Sequence, residues 1–227
     1  YTNWQNAAHS LQTAIDFCGT GDTVIAANGL YAENIQLDKE ITLKSWCLDP
    51  ESCIISAPNP LFPAVEISDP NIFSDQIVLA GFKIQGGSKA IYLQGNFSGS
   101  EFPLIRNCII ADYPGIGVHC YNAGFYMEFC TLVNNNVGLF AEETRASSRA
   151  FYNIIAGQNL YGLHIDASYF EMRNNCFYDN NQHIFGSPTA YCDEWSVEML
   201  PDGVDPQFIP GTYRLADTSP CKDIKAG

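Results

Sequence analysis

The chain has 227 residues, of which 46% are hydrophobic and only 16% are charged, a balance typical of a folded protein rather than a disordered one. Its 25 acidic residues against 11 scattered basic ones give a net charge of −14, which argues against nucleic acid and anionic membranes as partners. No run of eighteen apolar residues occurs, so no membrane-spanning segment is predicted.

The first predicted element is an amphipathic helix over residues 4–17. Leu11, Ile15 and Cys18 recur at helical spacing, and Gly19 follows them as a stop signal. We expect this helix to close the amino-terminal end of the fold, ahead of a first strand near Val24.

The nine cysteines are numerous for this length, and an odd number leaves at least one of them outside any internal pair. Cys47 and Cys53 flank a short loop with a proline turn signal, which predicts a disulfide between them; a second one is predicted between Cys192 and Cys221. Such bonds would indicate an exported protein. The alternative, nine reduced thiols, stays open.

Two kinds of short segment then recur at a nearly constant pitch. The starts of the first kind are 22, 24 and 22 residues apart: Asn107-Cys-Ile-Ile110, Phe129-Cys-Thr-Leu132, Asn153-Ile-Ile-Ala156 and Asn175-Cys-Phe-Tyr178. The second kind alternates with a period of two, as strands with one buried face do: Ala90-Ile-Tyr-Leu-Gln94, Gly117-Val-His-Cys-Tyr121, Gly138-Leu-Phe-Ala-Glu142 and Gly162-Leu-His-Ile-Asp166.

Asn- and Gly-rich breaks between these segments suit tight corners, because both residues tolerate left-handed backbone conformations. Strands this short cannot bury a face alone, but stacked copies form a continuous core. We therefore predict an all-β fold, a right-handed parallel β-helix with three short strands per rung and an N-terminal capping helix. The predicted single domain divides into the helical cap (1–21), the rungs (22–187) and an irregular C-terminal cap (188–227) around Trp195, Phe208 and Tyr213.

Two columns of stacked side chains are expected from the first kind of segment. Cys108, Cys130 and Cys176 would form an inward column with Ile154 in the missing rung. An amide ladder would run along one corner through Asn107, Asn153 and Asn175.

The two ends of the chain carry a family resemblance. Leu11-Gln-Thr-Ala-Ile15, Gly21-Asp-Thr-Val24 and Gly29-Leu-Tyr-Ala-Glu-Asn34 at the start, with Asp205-Pro-Gln-Phe208, Tyr213-Arg-Leu215 and Ser219-Pro-Cys221 at the end, resemble bacterial pectate-lyase-like β-helix proteins. With the rungs between them, the resemblance covers nearly the whole chain. It implies a secreted or cell-surface protein.

The same resemblance implies that polysaccharide, or a cell-surface glycan, binds the outer face of the second kind of strand. The side chains expected to bind it are Tyr92, His119, Tyr121, Phe140 and His164, with Phe185 continuing the aromatic column. A cap, a loop or a partner covering these rings is the competing interpretation. We expect a monomer.

Glu142 and Asp166 would lie one rung apart, about 4.8 Å by strand spacing, so they would share a proton or bridge a cation. Oxygen ligands of this kind suit calcium. In the lyases that the chain resembles, calcium neutralises a uronate and an Arg or Lys removes the neighbouring proton, which makes Arg145 and Arg149 the candidate bases.

Binding without turnover is the favoured function. A calcium-assisted polyuronate lyase and a structural or adhesive surface module are the alternatives, and hydrolysis by Glu142 and Asp166 ranks below the lyase.

Overall fold

The computed structural model describes residues 5, 7–68, 77–95, 102–144, 148–168, 170–186, 197–199 and 204–222. Within them the chain forms one α-helix, α1 (Leu11–Phe17), and 21 strands whose mutual pairings are all parallel. This confirms the predicted all-β parallel β-helix. No described helix has the length and apolar character needed to cross a membrane.

The strands, numbered in chain order, form three faces of a solenoid. Face one contains β1 (Thr23–Ala26), β4 (Thr42–Ser45), β7 (Val78–Ala80), β10 (Leu104–Arg106), β13 (Tyr126–Glu128), β16 (Ser148–Phe151) and the start of β19 (Phe170–Tyr178), which β21 (Val197–Met199) joins. Face two contains β2 (Gly29–Tyr31), β5 (Cys53–Ala57), β8 (Lys83–Gly86), β11 (Ile109–Ala111), β14 (Thr131–Val133), β17 (Ile154–Ala156) and the end of β19. Face three contains β3 (Ile35–Leu37), β6 (Val65–Ser68), β9 (Ile91–Gln94), β12 (Ile116–Tyr121), β15 (Val137–Glu142), β18 (Tyr161–Asp166) and β20 (Gln182–Gly186).

The core lies inside the three faces and follows from the alternation of the short strands. In β6, for example, Val65 and Ile67 are fully buried while the two residues that alternate with them are half-buried. Each inward side chain rests on its equivalent one rung away, so Ile67 pairs with Leu93 and Leu93 with Cys120. The rungs therefore share one continuous apolar interior, the arrangement that stabilises a solenoid.

The helix starts later than the sequence predicted. Residues 7–10 are not helical, and α1 begins after Ser10, whose hydroxyl accepts a hydrogen bond from the Thr13 amide. The Glu33 carboxylate accepts hydrogen bonds from the two preceding backbone amides, that of Leu11 at 2.9 Å and that of Gln12 at 3.0 Å. These acceptors satisfy amides that have no partner within a helix, so the first turn is fixed here rather than at residue 4.

The predicted inward column is wrong at Cys176 and also at Ile154, because both side chains belong to the outer side of face two. Ile154 pairs with Cys176 and with Thr131 in the strand register, so Cys176 lies one position further along the rung than Cys108 and Cys130. Cys108 and Cys130 point into the solenoid, whereas Cys176 belongs to the outer side of face two. The single repeat that begins at Phe129 is 23 residues long rather than 24, so the predicted alignment of the two following rungs is displaced by one residue.

The interior column is instead completed by two asparagines, and we call Cys108, Cys130, Asn153 and Asn175 the interior ladder. Each of the four side chains donates to a carbonyl of face one, in order those of Leu79, Ile105, Met127 and Ala150. The amide oxygen of Asn153 accepts from the Cys130 backbone N–H at 2.9 Å, and that of Asn175 accepts from the Asn153 N–H at 2.9 Å. Amides and thiols thus occupy equivalent positions.

Asn107 does not belong to this ladder, contrary to prediction. It is the corner residue between faces one and two, with φ of 50°. The equivalent corners, one residue before each later ladder member, also have left-handed φ values: Phe129, Tyr152 and Asn174. The predicted left-handed corners between faces two and three are present at Asn134, Gly157 and Asp179, with φ of 55°, 65° and 49°.

The predicted disulfide between Cys47 and Cys53 is absent, and both thiols are free. Cys53 points inward, where its sulfur contacts the Ala27 carbonyl, while the exposed Cys47 contacts the Asn28 side chain. The two thiols contact adjacent residues of the chain, but they are not bonded to each other. Of the second predicted pair, Cys221 is a free buried thiol, and Cys192 lies outside the described residues, as does Trp195.

Residues 204–222, which we call the C-terminal strap, lie along the outer side of face two. Phe208, Tyr213 and Leu215 pack on the outward apolar side chains of that face, and Cys221 is buried in the same cluster as Cys176. Arg214 forms ion pairs with Asp49 at 2.5 Å and Glu51 at 2.9 Å. The strap covers apolar surface that would otherwise face solvent.

Candidate functional site

The outer side of face three carries two parallel columns of side chains. The register places Glu66, Tyr92, His119, Phe140, His164 and Phe185 in what we call the central column. It places Ser68, Gln94, Tyr121, Glu142 and Asp166 in what we call the edge column. The predicted neighbours are thus brought together rung by rung, while their functional roles stay predictions.

A column of glycines brings these rungs into close contact. A Cβ at Gly117 would lie 2.8 Å from the Gly138 carbonyl oxygen, and a Cβ at Gly138 would lie 2.6 Å from that of Gly162. Both distances are shorter than the 3.0 Å below which a Cβ atom essentially never approaches another heavy atom, so a larger residue would push the strands apart. The recurring glycine that opens each strand therefore has a packing role, and it sets the spacing of the outward columns.

The middle of the central column is a stack of rings. The ring centroids of His119 and Phe140 are 4.7 Å apart with an interplanar angle of 6°, and those of Phe140 and His164 are 4.2 Å apart at 9°. Both flat surfaces of Phe140 are therefore covered by imidazoles. A sugar ring approaching from solvent would meet the edge of Phe140, so sugar stacking at this residue is geometrically blocked.

The ends of the stack are also partly covered. The ammonium of Lys89 lies 4.4 Å from the centroid of Tyr92, a cation–π contact, and His119 lies against the same tyrosine at 5.2 Å. At the other end, Phe185 stacks on Tyr161 at 4.3 Å. Mutual packing of the rings thus accounts for much of the aromatic content of this column.

One hydrogen bond joins the two columns. His119 Nε2 lies 2.9 Å from Glu142 Oε2, while His119 Nδ1 is buried without a hydrogen-bond partner among the described residues. Burial lowers the pKa of His119, and the hydrogen bond to Glu142 only partly opposes that shift. At neutral pH the imidazole is therefore uncharged and donates its Nε2–H to the Glu142 carboxylate.

The edge column is more accessible than the central one. Tyr121 is 39% exposed, and its ring centroid lies 6.4 Å from that of His119 at an angle of 55°, so it is not stacked within the column. Asp166 is exposed and pairs in register with the half-buried Glu142. Phe185 is equally exposed but is stacked on Tyr161, so Tyr121 is the exposed aromatic side chain of this face whose ring is not stacked on another described ring.

The predicted catalytic bases are not assembled at this face. Arg149 lies on β16 of face one, where its guanidinium is 5.0 Å from the ring of Tyr126. Arg145 lies outside the described residues. The structure thus brings Glu142 and Asp166 together, but it places Arg149 on a different face.

A calcium site at these carboxylates also has few ligands in the described part of the chain. Glu142 and Asp166 are neighbours, yet one Glu142 oxygen is held by His119. No group of three or more His, Cys, Asp or Glu side chains among the described residues could hold a metal ion. Calcium takes six to eight oxygen ligands, so these residues do not fit it on their own.

A groove beside the edge column includes residues that the sequence analysis missed. It has a volume of about 480 Å³ and is lined by Gln36, Asp38, Ser68, Gln94, Gly95, Tyr121 and Asn122. The segments around Gln36 and Ser68 show the same period-two alternation as the later strands, which is the signal that could have revealed them.

The comparison with known families agrees with this geometry. Residues 71–192, which are more than half of the chain, match the family model described as right handed beta helix region. The chain belongs to the right-handed beta helix family. A search of curated proteins found no match.

The matched part of this right-handed beta helix protein contains most of both columns. It runs from before β9 to beyond β20 and includes Tyr92, His119, Glu142 and Asp166. The beginning of the groove, at Gln36 and Ser68, precedes it. The match therefore establishes the architecture that carries the candidate site, and the function has to be inferred from the side chains.

Proposed function

We propose that this chain is an exported polysaccharide-binding domain whose ligand lies on the outer side of face three. The observation that supports it is the exposed Tyr121 beside the polar edge column, on a face that a regular register keeps flat. An exposed aromatic ring next to amide and carboxylate groups offers a sugar both an apolar surface and hydrogen-bond partners. The exported location rests on the resemblance to pectate-lyase-like proteins.

The ring stack has a supporting role in this proposal. Because His119, Phe140 and His164 cover one another, they form a rigid floor that presents ring edges rather than flat surfaces. Such a floor holds Glu142 in place through the His119 hydrogen bond. A rigid polar row loses little conformational entropy when a ligand binds to it, which favours binding.

Two other functions remain as competing proposals with less support. A calcium-assisted lyase needs a base near the carboxylates, and the described candidate, Arg149, contacts Tyr126 on face one instead. A structural or adhesive module would need no ligand at this face. Neither accounts for an exposed tyrosine beside unpaired polar side chains.

The binding proposal is tested with a glycan array and with the substitution Tyr121→Ala. Truncating a central aromatic contact typically costs about 2 kcal/mol or more, which corresponds to a loss of affinity of more than tenfold. The matched control is Tyr126→Ala, an outward tyrosine on face one. We expect binding to fall only in the Tyr121 variant.

Turnover is measured in parallel, as ultraviolet absorbance of unsaturated products from polyuronates with and without calcium. Product formation would replace the binding proposal by the lyase. Absence of both binding and product over the whole array would contradict the proposal and favour the structural module.

A further inference from the structure

The groove beside the edge column runs along the solenoid axis. Its lining residues come from four successive rungs, in order β3, β6, β9 and β12, and Tyr121 lies at its later end. Strands in a sheet are about 4.8 Å apart, so these rungs span about 14 Å. An extended pyranose chain advances by a similar step per sugar unit, so successive sugars would meet equivalent positions on successive rungs.

The polar side chains of the groove are available to a ligand. Those of Gln36, Ser68, Gln94 and Asn122 form no hydrogen bond with another residue in the part of the chain that the structure describes. Amide groups donate and accept, and a serine hydroxyl does both. Sugar hydroxyls also donate and accept, so this set matches the surface of an uncharged sugar.

The charge of the groove selects against uronates. Among its described lining residues Asp38 is the one charged side chain, and the edge column continues beyond the groove to Glu142 and Asp166. The nearby Lys89 is engaged with the ring of Tyr92. A polyuronate laid along these rungs would bring carboxylates next to carboxylates, on a protein of net charge −14, so like charges would repel.

We infer that the groove binds an uncharged glycan chain lying along the solenoid axis, with the exposed ring of Tyr121 stacking on a sugar at its later end. This inference rests on the proposed function and names its ligand class. It departs from the polyuronate that the resemblance to pectate lyases implies. Gln94, on the rung before Tyr121, supplies hydrogen bonds to the adjacent sugar.

The test is calorimetric titration of the full chain with three hexasaccharides: a neutral β-1,4-linked glucan, a polygalacturonate and a polyglucosamine, the second with and without calcium. The variants are Tyr121→Ala and Gln94→Ala. The matched control is Gln85→Ala, which changes a half-buried glutamine on face two. Thermal unfolding of each variant checks that its fold is intact.

We expect the neutral hexasaccharide to bind, to lose about tenfold or more in affinity in both groove variants, and to keep its affinity in the control. Tighter binding of the galacturonate or the glucosamine chain would overturn the inference, and so would neutral binding that survives both substitutions. Tighter binding of a charged chain would leave the proposed function standing, whereas binding that survives Tyr121→Ala would contradict the proposed function as well. If no hexasaccharide binds and the glycan array is also silent, both fail.

Discussion

The interior ladder makes a quantitative prediction at Asn153. Its side chain is fully buried, accepts from the Cys130 backbone N–H at 2.9 Å, and donates to the Met127 carbonyl and the Asn175 side chain, both at 3.0 Å. Asn153→Ala removes all three bonds while leaving the backbone register intact.

The cost follows from the groups left behind. The Cys130 N–H has no other acceptor among the described residues, and a buried donor without a partner costs about 1–3 kcal/mol. The two bonds that Asn153 donates contribute about 0.5–1.5 kcal/mol each. The variant should therefore lose roughly 2–6 kcal/mol, a large part of the stability of a typical folded domain.

Urea unfolding followed by circular dichroism measures this loss. The control, Asn159→Ala, changes an exposed asparagine that contributes a backbone hydrogen bond alone, so it should stay within about 0.5 kcal/mol. Asn153→Cys should recover part of the loss, because Cys130 shows that a thiol can donate to the equivalent carbonyl. A difference below about 1 kcal/mol between the two alanine variants would refute the ladder as a source of stability.

Two further predictions concern face three. Gly138→Ala places a Cβ 2.6 Å from the Gly162 carbonyl oxygen, and this overpacking should lower the stability measured in a thermal melt by about 1–3 kcal/mol. The control is Gly19→Ala, whose Cβ would meet no atom closer than 3.7 Å. Equal losses of stability in the two variants would contradict the close-contact argument. Folding lowers the pKa of His119, so as pH falls the unfolded chain takes up a proton that the folded chain excludes, and stability decreases as the pH falls from neutral through the ordinary histidine pKa of about 6.5. His119→Gln should flatten this decrease in urea midpoints, whereas an unchanged slope would assign it to other groups.

Face three shows what a repeat in sequence can predict. Each of its strands β12, β15 and β18 begins near a glycine and alternates strictly, so aligning the glycines aligned the outward residues His119 and Glu142 with their neighbours on the next rung. A register error of one residue would have placed the apolar side chains of these strands on the outer face, so the correct register is easy to recognise. The sequence could not show that the rings stack on each other, because ring orientation depends on neighbouring rungs.

Face two shows where residue identity misleads. Asparagine is used there for two purposes: Asn107 is a left-handed corner, whereas Asn153 is an interior amide. Aligning Asn107 with Asn153 shifted the predicted position of Cys176 by one residue, so Cys176 was predicted to point into the core although it lies on the outer side of face two. Local sequence does not distinguish these uses, since both place asparagine beside a short apolar run.

The C-terminal strap changes how the solenoid should unfold. In a simple array each rung touches its neighbours alone, and the ends can open without disturbing the middle. Here one segment binds Asp49 near the first rungs through Arg214, contacts Asp112 in the middle through Tyr213, and buries Cys221 beside Cys176 near the last. Opening the solenoid between the second rung and the last would break these contacts, so this part of the protein should lose its structure in a single concerted event.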